Sequence, residues 1–283
     1  MASFTNFATL SYNGGTTNSN IVTGEILEAL TAVKTAVSAN YSAGDRITYA
    51  LSLVNTGTAA ITDYTVTDNL GGYTVGANTV YPLAYNAGTV RYYINGVLQT
   101  APTVTAGPPL TVTGLTVPAG GSAVLIYETT ATPVAPLATG SSITNTATIT
   151  GGGLTTPITA QATVETANSA DLTISKALSP TTVTENGQIT YTFVISNTGN
   201  TEATAADNVV VTDTFDPILR NIAVTYNGTA WTEGTNYTYN AATGVFTTLA
   251  GQITVPAASF TQNTDGTFTV TPGTATLVIT GTV

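Results

Sequence analysis

The chain has 283 residues, enough for two domains of ordinary size, with 5 basic against 15 acidic residues and a net charge of -10. So few cations exclude a phosphate-reading nucleic-acid surface, and no run of about 20 apolar residues is present to insert into a membrane as a helix. Without cysteine or histidine, disulfides, thiol nucleophiles, imidazole or thiolate metal sites and histidine-dependent triads are also excluded.

Taken in order, the first stretch is Ser3 to Leu27, SFTNFATLSYNGGTTNSNIVTGEIL, which reads as two strands about a glycine turn. A near copy recurs from Ser142 to Glu165. Phe4, Thr5, Asn6, Ala8, Thr9 and Leu10 match Ile143, Thr144, Asn145, Ala147, Thr148 and Ile149 one for one. The mid-chain copy closes a repeat unit, whereas the first copy has no unit in front of it.

Next come Leu30-Thr31-Ala32-Val33-Lys34 and the run from Ala43 to Gly57, repeated at an offset of 142 residues as Leu172-Thr173-Ile174-Ser175-Lys176 and Glu185 to Gly199. Two tandem copies of one fold follow. A weak helical pattern over residues 25 to 37 yields to this repeat alignment, which assigns strand. YTVTDNL from Tyr64 and VVVTDTF from Val209 are matching middle strands. Asn13-Gly14, Asn95-Gly96, Asn186-Gly187 and Asn227-Gly228 are hairpin signals, because both residues of such a pair tolerate positive φ. Short alternating strands spaced by turns predict an all-β chain of two tandem immunoglobulin-like β-sandwich domains. The expected boundaries are a 1–27 arm, a 28–167 first domain and a 168–283 second domain, with Asn168-Ser169-Ala170 as linker.

The alignment also matches Thr276–Thr280 to Ala123–Tyr127, and the sequence reaches Val283 before any counterpart of the closing hairpin. The expectation is that the second domain is an incomplete strand acceptor. The arm of a neighbouring molecule, through donor residues Phe4, Asn6, Ala8 and Leu10 with Ile21 from its second strand, completes it head to tail. The alternative is an arm that folds back on its own molecule.

Strand periodicity adds chemistry. Lys34 and Lys176, the only lysines, fall in phase with Leu30 and Ala32 and with Leu172 and Ile174. Asp68 is in phase with Val66, and Asp213 with Val209 and Val211. Asn145 and Asn6 are in phase with the apolar residues of their strands. Each completed domain therefore points a lysine, an aspartate and an asparagine inward. A buried Lys-Asp ion pair bonded to Asn accounts for this pattern. So does covalent chemistry, in which a desolvated amine attacks the carboxamide while a buried carboxylic acid polarises its carbonyl, and ammonia leaves.

Lysine in a first strand, VTD in a middle strand and TNTAT in the last resemble the bacterial surface-protein conserved repeat known as domain of unknown function eleven, in two copies over nearly the whole chain. The triad is similar in kind to that of the self-crosslinking sandwich domains of Gram-positive pilins and adhesins, which commonly place glutamate where aspartate stands here. The resemblance implies an intramolecular Lys34–Asn145 crosslink with Asp68 as the catalytic acid, and an intermolecular Lys176–Asn6 crosslink with Asp213 as the acid.

The remaining features read more plainly. Gly151-Gly152-Gly153 is a turn, with no lysine nearby to make it a phosphate site. Asp63, Asp207, Asp216 and Asp265 offer carboxylates for calcium without a spaced ligand motif, so no metal and no cofactor is expected. Trp231, Tyr237 and Tyr239 offer a carbohydrate platform, against which stands ordinary packing. Met1-Ala2-Ser3 leads into a strand with no signal peptide visible. The expected protein is a homopolymeric structural subunit of an extracellular fibre on a bacterial cell or spore surface, with autocatalytic isopeptide formation as its sole enzyme-like act. Its rival is a monomeric adhesion or stalk module that binds a surface ligand or glycan.

Overall fold

Thr, Val, Ile and Tyr dominate runs punctuated by Gly, Asn and Pro, and the computed structural model is accordingly all-β. It describes residues 2–26 and 29–283; the arm-to-domain junction expected at Leu27 and Glu28 lies outside the described residues. The one helical element among the described residues is a single turn, Ala205–Asp207. Two compact units form, Met1–Ala135 with Ser142–Glu165, and Pro136–Ser141 with Thr166–Val283.

In the first unit one sheet runs Val97–Leu98, Arg91–Ile94, Ser122–Ala131, Arg46–Asn55 and Leu30–Ala36 from edge to edge. The other runs Thr103–Thr105, Leu110–Val117, Ile61–Asp68, Ser142–Gly151, Ile158–Thr166 and Asn40–Tyr41. Period-two alternation sends Ile47, Tyr49, Leu51 and Leu53 inward from the first sheet and Tyr64, Val66, Ile143, Ala147 and Ile149 inward from the second. The Tyr92 hydroxyl donates across the sandwich to the Thr116 carbonyl. In Leu110–Val117 the alternation changes phase between Val112 and Leu115, where Gly114 sits at φ +73° and a bulge re-aims the strand. The outward side explains the threonine content. Thr105, Thr111, Thr67, Thr148 and Thr159 are successive cross-strand partners in one row over five strands.

The second unit repeats the first sheet as Leu172–Ser179, Gln188–Asn197, Gly273–Thr282, Arg220–Tyr226 and Thr229–Trp231. Its other sheet has three short strands, Thr212–Thr214, Val245–Thr248 and Tyr237–Asn240. Tyr191, Phe193, Phe215, Phe246, Leu277 and Ile279 fill the core between them. In the first unit Ser142–Gly151 pairs with Ile61–Asp68 through Ala147 with Asp68, Thr148 with Thr67 and Ile149 with Val66. Among the described residues no strand takes the corresponding edge of Thr212–Thr214. An extra hairpin, Ser259–Gln262 with Phe268–Thr271, fills the interval between Pro256 and Gly273 where the first unit has only the turn after Pro118. The repeat alignment gives no hint of it.

Two sequence expectations change in detail. The match of Thr276–Thr280 to Ala123–Tyr127 is one residue out of register. Leu125 pairs with Leu51 and Tyr127 with Tyr49, whereas Leu277 pairs with Phe193 and Ile279 with Tyr191. Ala275, Leu277 and Ile279 therefore take the buried places of Ala123, Leu125 and Tyr127. A slip of one residue exchanges the two faces of a strand, and only the pairing with the neighbour fixes it. Of the four Asn-Gly pairs, Asn95-Gly96 and Asn227-Gly228 have both residues at positive φ, while Asn13-Gly14 has only Gly14 and Asn186-Gly187 only Asn186. Gly151, Gly152 and Gly153 all have positive φ and form a turn.

Candidate functional site

Leu30–Ala36 is an edge strand of its sheet. Its alternation buries Leu30 and Lys34 while Val33 faces out. Apolar neighbours alone would reject an ammonium group, so the partners of Lys34 decide what it is. Its Nζ lies 2.5 Å from Asp68 Oδ2, with both side chains sealed from solvent at 0% and 1% exposure. The same Oδ2 accepts the Tyr127 hydroxyl, and Oδ1 accepts the Leu70 amide at 3.0 Å. Nζ also stands over the Tyr49 and Tyr127 rings, 4.9 and 5.9 Å from their centroids. Burial, opposed by the charge and hydrogen bond of Asp68, lowers the Lys34 pKa to about 8. Burial and the Asp68 charge push Tyr127 and Tyr49 upward, so both hydroxyls stay protonated.

Asn145 completes the cluster from the strand beside Asp68, two residues before Ala147, which is Asp68's own partner. It is fully buried, yet neither its Oδ1 nor its Nδ2 has a hydrogen-bond partner, and the Tyr49 hydroxyl is likewise unpaired. The Tyr127 hydroxyl is taken by Asp68 and satisfies neither amide atom. Each unmet group costs about 1–3 kcal/mol. An orphaned carboxamide beside a lysine of lowered pKa and a hydrogen-bonded carboxylate is an arrangement able to trade that cost for an amide bond.

In the second unit, Lys176 Nζ lies 2.5 Å from Asp213 Oδ2, over the rings of Tyr191, Phe193 and Phe215. Here the lysine side chain is 39% exposed and the aspartate 17%. Ile174, on the same strand face as Lys176, is also exposed. The pair has the geometry of the first but lacks the cover and the asparagine that Ser142–Gly151 supplies there.

Asn6 lies in the arm, where Ala2–Asn6 pairs with Val22–Ile26 and Thr9–Tyr12 with Gly15–Asn18. Thr5 faces Thr23 and Asn6 faces Val22, as Thr144 faces Thr163 and Asn145 faces Ala162 in the mid-chain hairpin. Phe4 faces Gly24, where a Cβ would meet the Phe4 ring at 2.4 Å; the other hairpin pairs Ile143 with Val164 at this place. One large residue over glycine replaces two of medium size. The register makes Val22 the partner of Asn6, and Ile21, exposed, stands just before the paired strand Val22–Ile26. Beyond Asn6 the hairpin pairing shifts by one residue relative to the mid-chain copy. Phe4, Phe7, Leu10, Tyr12, Ile21 and Val22 are all exposed, whereas Ile143, Ala147, Ile149 and Val164 are buried.

The other candidate residues serve local structure. Trp231 stacks on Tyr226, Tyr237 is buried against Phe246, and Tyr239 donates to the Leu219 carbonyl, so the three form no exposed platform. Asp207 caps the Ala205–Asp207 turn, and Asp265 accepts two hydrogen bonds from Thr267 that hold its carboxyl below the usual range. Among the described residues no three metal-ligating side chains cluster, Asp63 and Asp216 included. Tyr49 and Tyr127 were not singled out in the sequence. Tyr49 recurs as Tyr191 and so left a signal, but Tyr127 has Ile279 as its counterpart and left none.

The contrast in burial gives a stability prediction. In an Asn145→Ala background, Lys34→Met is expected to cost the first unit about 3–5 kcal/mol by stranding a buried carboxylate. Lys176→Met is expected to cost the second unit less than about 1 kcal/mol. Denaturant unfolding with a probe in each unit checks this; equal losses would contradict it.

The chain is thus an all-β protein of two sandwich-like units, with a Lys-Asp-Asn cluster sealed inside one and a Lys-Asp pair open in the other. No protein-family model and no curated protein matches its sequence. Among solved structures it is similar to BcpA, the major pilin subunit of Bacillus cereus, at 14% identity over 96% of this chain and 73% of that one, with a TM-score of 0.35. It is similar to the full-length major pilin RrgB of Streptococcus pneumoniae at 11% identity, over 89% of this chain and 44% of that one, with a TM-score of 0.36. For the collagen adhesin CNA of S. aureus the values are 14%, 56%, 56% and 0.31. The chain spans less than half of RrgB. No helix among the described residues is long and apolar enough to cross a membrane.

Proposed function

We propose that the chain is a structural subunit of a bacterial extracellular fibre, a pilus or a cell- or spore-surface appendage, in which the N-terminal hairpin of one molecule completes the second unit of the next. The observation that carries this is the pairing of two unfinished parts. The arm repeats the register of the Asn145 hairpin around Asn6 with its apolar residues exposed, and the edge that such a hairpin covers in the first unit is open in the second. An open strand edge beside a partly exposed core is an acceptor for an added strand. By equivalence with the first unit, Ala8 would face Asp213, Thr9 would face Thr212 and Leu10 would face Val211. Phe4, Asn6, Ala8 and Leu10 would then point inward, and Asn6 would meet Lys176. The divisions this implies are the arm at 1–27, the first domain at 28–167 and the acceptor domain at 168–283, each domain a copy of the domain of unknown function eleven that its motifs resemble.

In the first unit Lys34 passes a proton to Asp68 and attacks Asn145 Cγ as a neutral amine, while the protonated Asp68 bonds to Oδ1. Asp68 then gives its proton to the departing nitrogen, and the carboxylate so formed takes the surplus Nζ proton of the tetrahedral adduct, so one N–C bond forms, one breaks, one ammonia leaves and Asp68 ends protonated. Lys176, Asp213 and Asn6 repeat the step between molecules. The bond in each domain would clamp one sheet to the other. Electron microscopy of the full chain tests the assembly and is expected to show filaments. Monomers at every concentration would leave the rival reading of an adhesion module.

A further inference from the structure

Besides the cover and the asparagine, the two lysine–aspartate pairs differ by one hydroxyl. Tyr127 pairs with Tyr49 on the strand next to Lys34's, and its hydroxyl bonds to the same Asp68 oxygen that holds Nζ. At the matching register of the second unit, opposite Tyr191, stands Ile279. Asp213 accordingly accepts only Lys176 on Oδ2 and the amide of its own neighbour Thr214, at 3.0 Å, on Oδ1.

That hydroxyl matters at one moment of the reaction. To attack Asn145, Lys34 must leave its proton on Asp68 and withdraw from Oδ2. An acid that loses its only side-chain partner inside a core is free to turn away from the carboxamide. Asp68 is held through this change, because Leu70 keeps Oδ1 and Tyr127 keeps Oδ2. The tyrosine is itself fixed by its ring, stacked on Tyr49 at 5.8 Å. Asp213 has no such second hold on Oδ2, and its site stays partly solvated until a cover arrives.

Resting on the crosslinking reading above, we infer that Tyr127 is a positioning residue for the Lys34–Asn145 bond, and that Ile279 in its place makes the Lys176–Asn6 bond the slower of the two. The domain-internal bond then closes soon after folding, and the intersubunit bond closes only after the donor has seated. A misplaced donor keeps time to leave before it is fixed.

The test follows full chains newly made by cell-free translation, sampled over time by peptide mass spectrometry, which reads the two linked peptides separately as each loses one ammonia. Tyr127→Phe keeps the ring and removes the hydroxyl. It is expected to slow the Lys34–Asn145 bond by about tenfold or more and leave the Lys176–Asn6 bond unchanged. Ile279→Tyr is expected to speed the Lys176–Asn6 bond, a gain that a purely structural role would not produce. Unchanged rates in both variants, with the linked peptides present in the wild type, would overturn the role of Tyr127 and leave the crosslinks standing. Absence of both linked peptides from the wild type would instead overturn the chemistry and the inference with it.

Discussion

A chain shortened to begin at Glu25 is expected to form no filaments under conditions in which the full chain assembles completely. The arm's Phe4, Leu10 and Val22 are exposed, and each is worth about 1.5–3 kcal/mol when a neighbour covers it. Backbone hydrogen bonds along the free edge of Thr212–Thr214 add about 0.5–1.5 kcal/mol apiece. Without the arm both contributions vanish together. The shortened chain keeps every strand of both sandwiches, so its fold can be verified by circular dichroism beside the electron micrographs. Filaments from a folded, shortened chain would refute strand donation outright.

Asn6→Ala separates assembly from locking. The substitution removes a carboxamide and leaves Phe4, Ala8 and Leu10 to seat as before, so filaments are expected from both proteins. Boiled in detergent, wild-type fibres should stay as high ladders, since an amide bond is indifferent to detergent. Asn6→Ala fibres should fall to monomers, because Lys176 then has no carbonyl to attack. A variant as resistant as the wild type would move the intersubunit bond elsewhere. A wild type that dissolves completely would mean that strand exchange alone holds the fibre.

Much of the site was legible in the sequence because a strand has a period of two. Lys34, Asp68 and Asn145 each fall in phase with their strand's apolar residues, and all three are buried together. The same rule fails by one residue at Thr276–Thr280, where Thr, Val and Ile recur so evenly that either register looks plausible until the partner strand is present. Tyr127 was illegible for a related reason. Its importance comes from pointing at Asp68 across the sandwich, a contact between strands far apart in the chain that no local pattern encodes.

The sequence by itself determined that this is a disulfide-free, all-β repeat protein carrying a duplicated Lys, Asp and Asn pattern and a duplicated hairpin, since composition and periodicity are local properties. Only the tertiary structure decided that one copy of the pattern is sealed and orphaned while the other is open to solvent. Burial depends on which strand lies beside which, and the strand that closes the first unit has no counterpart in the second among the described residues.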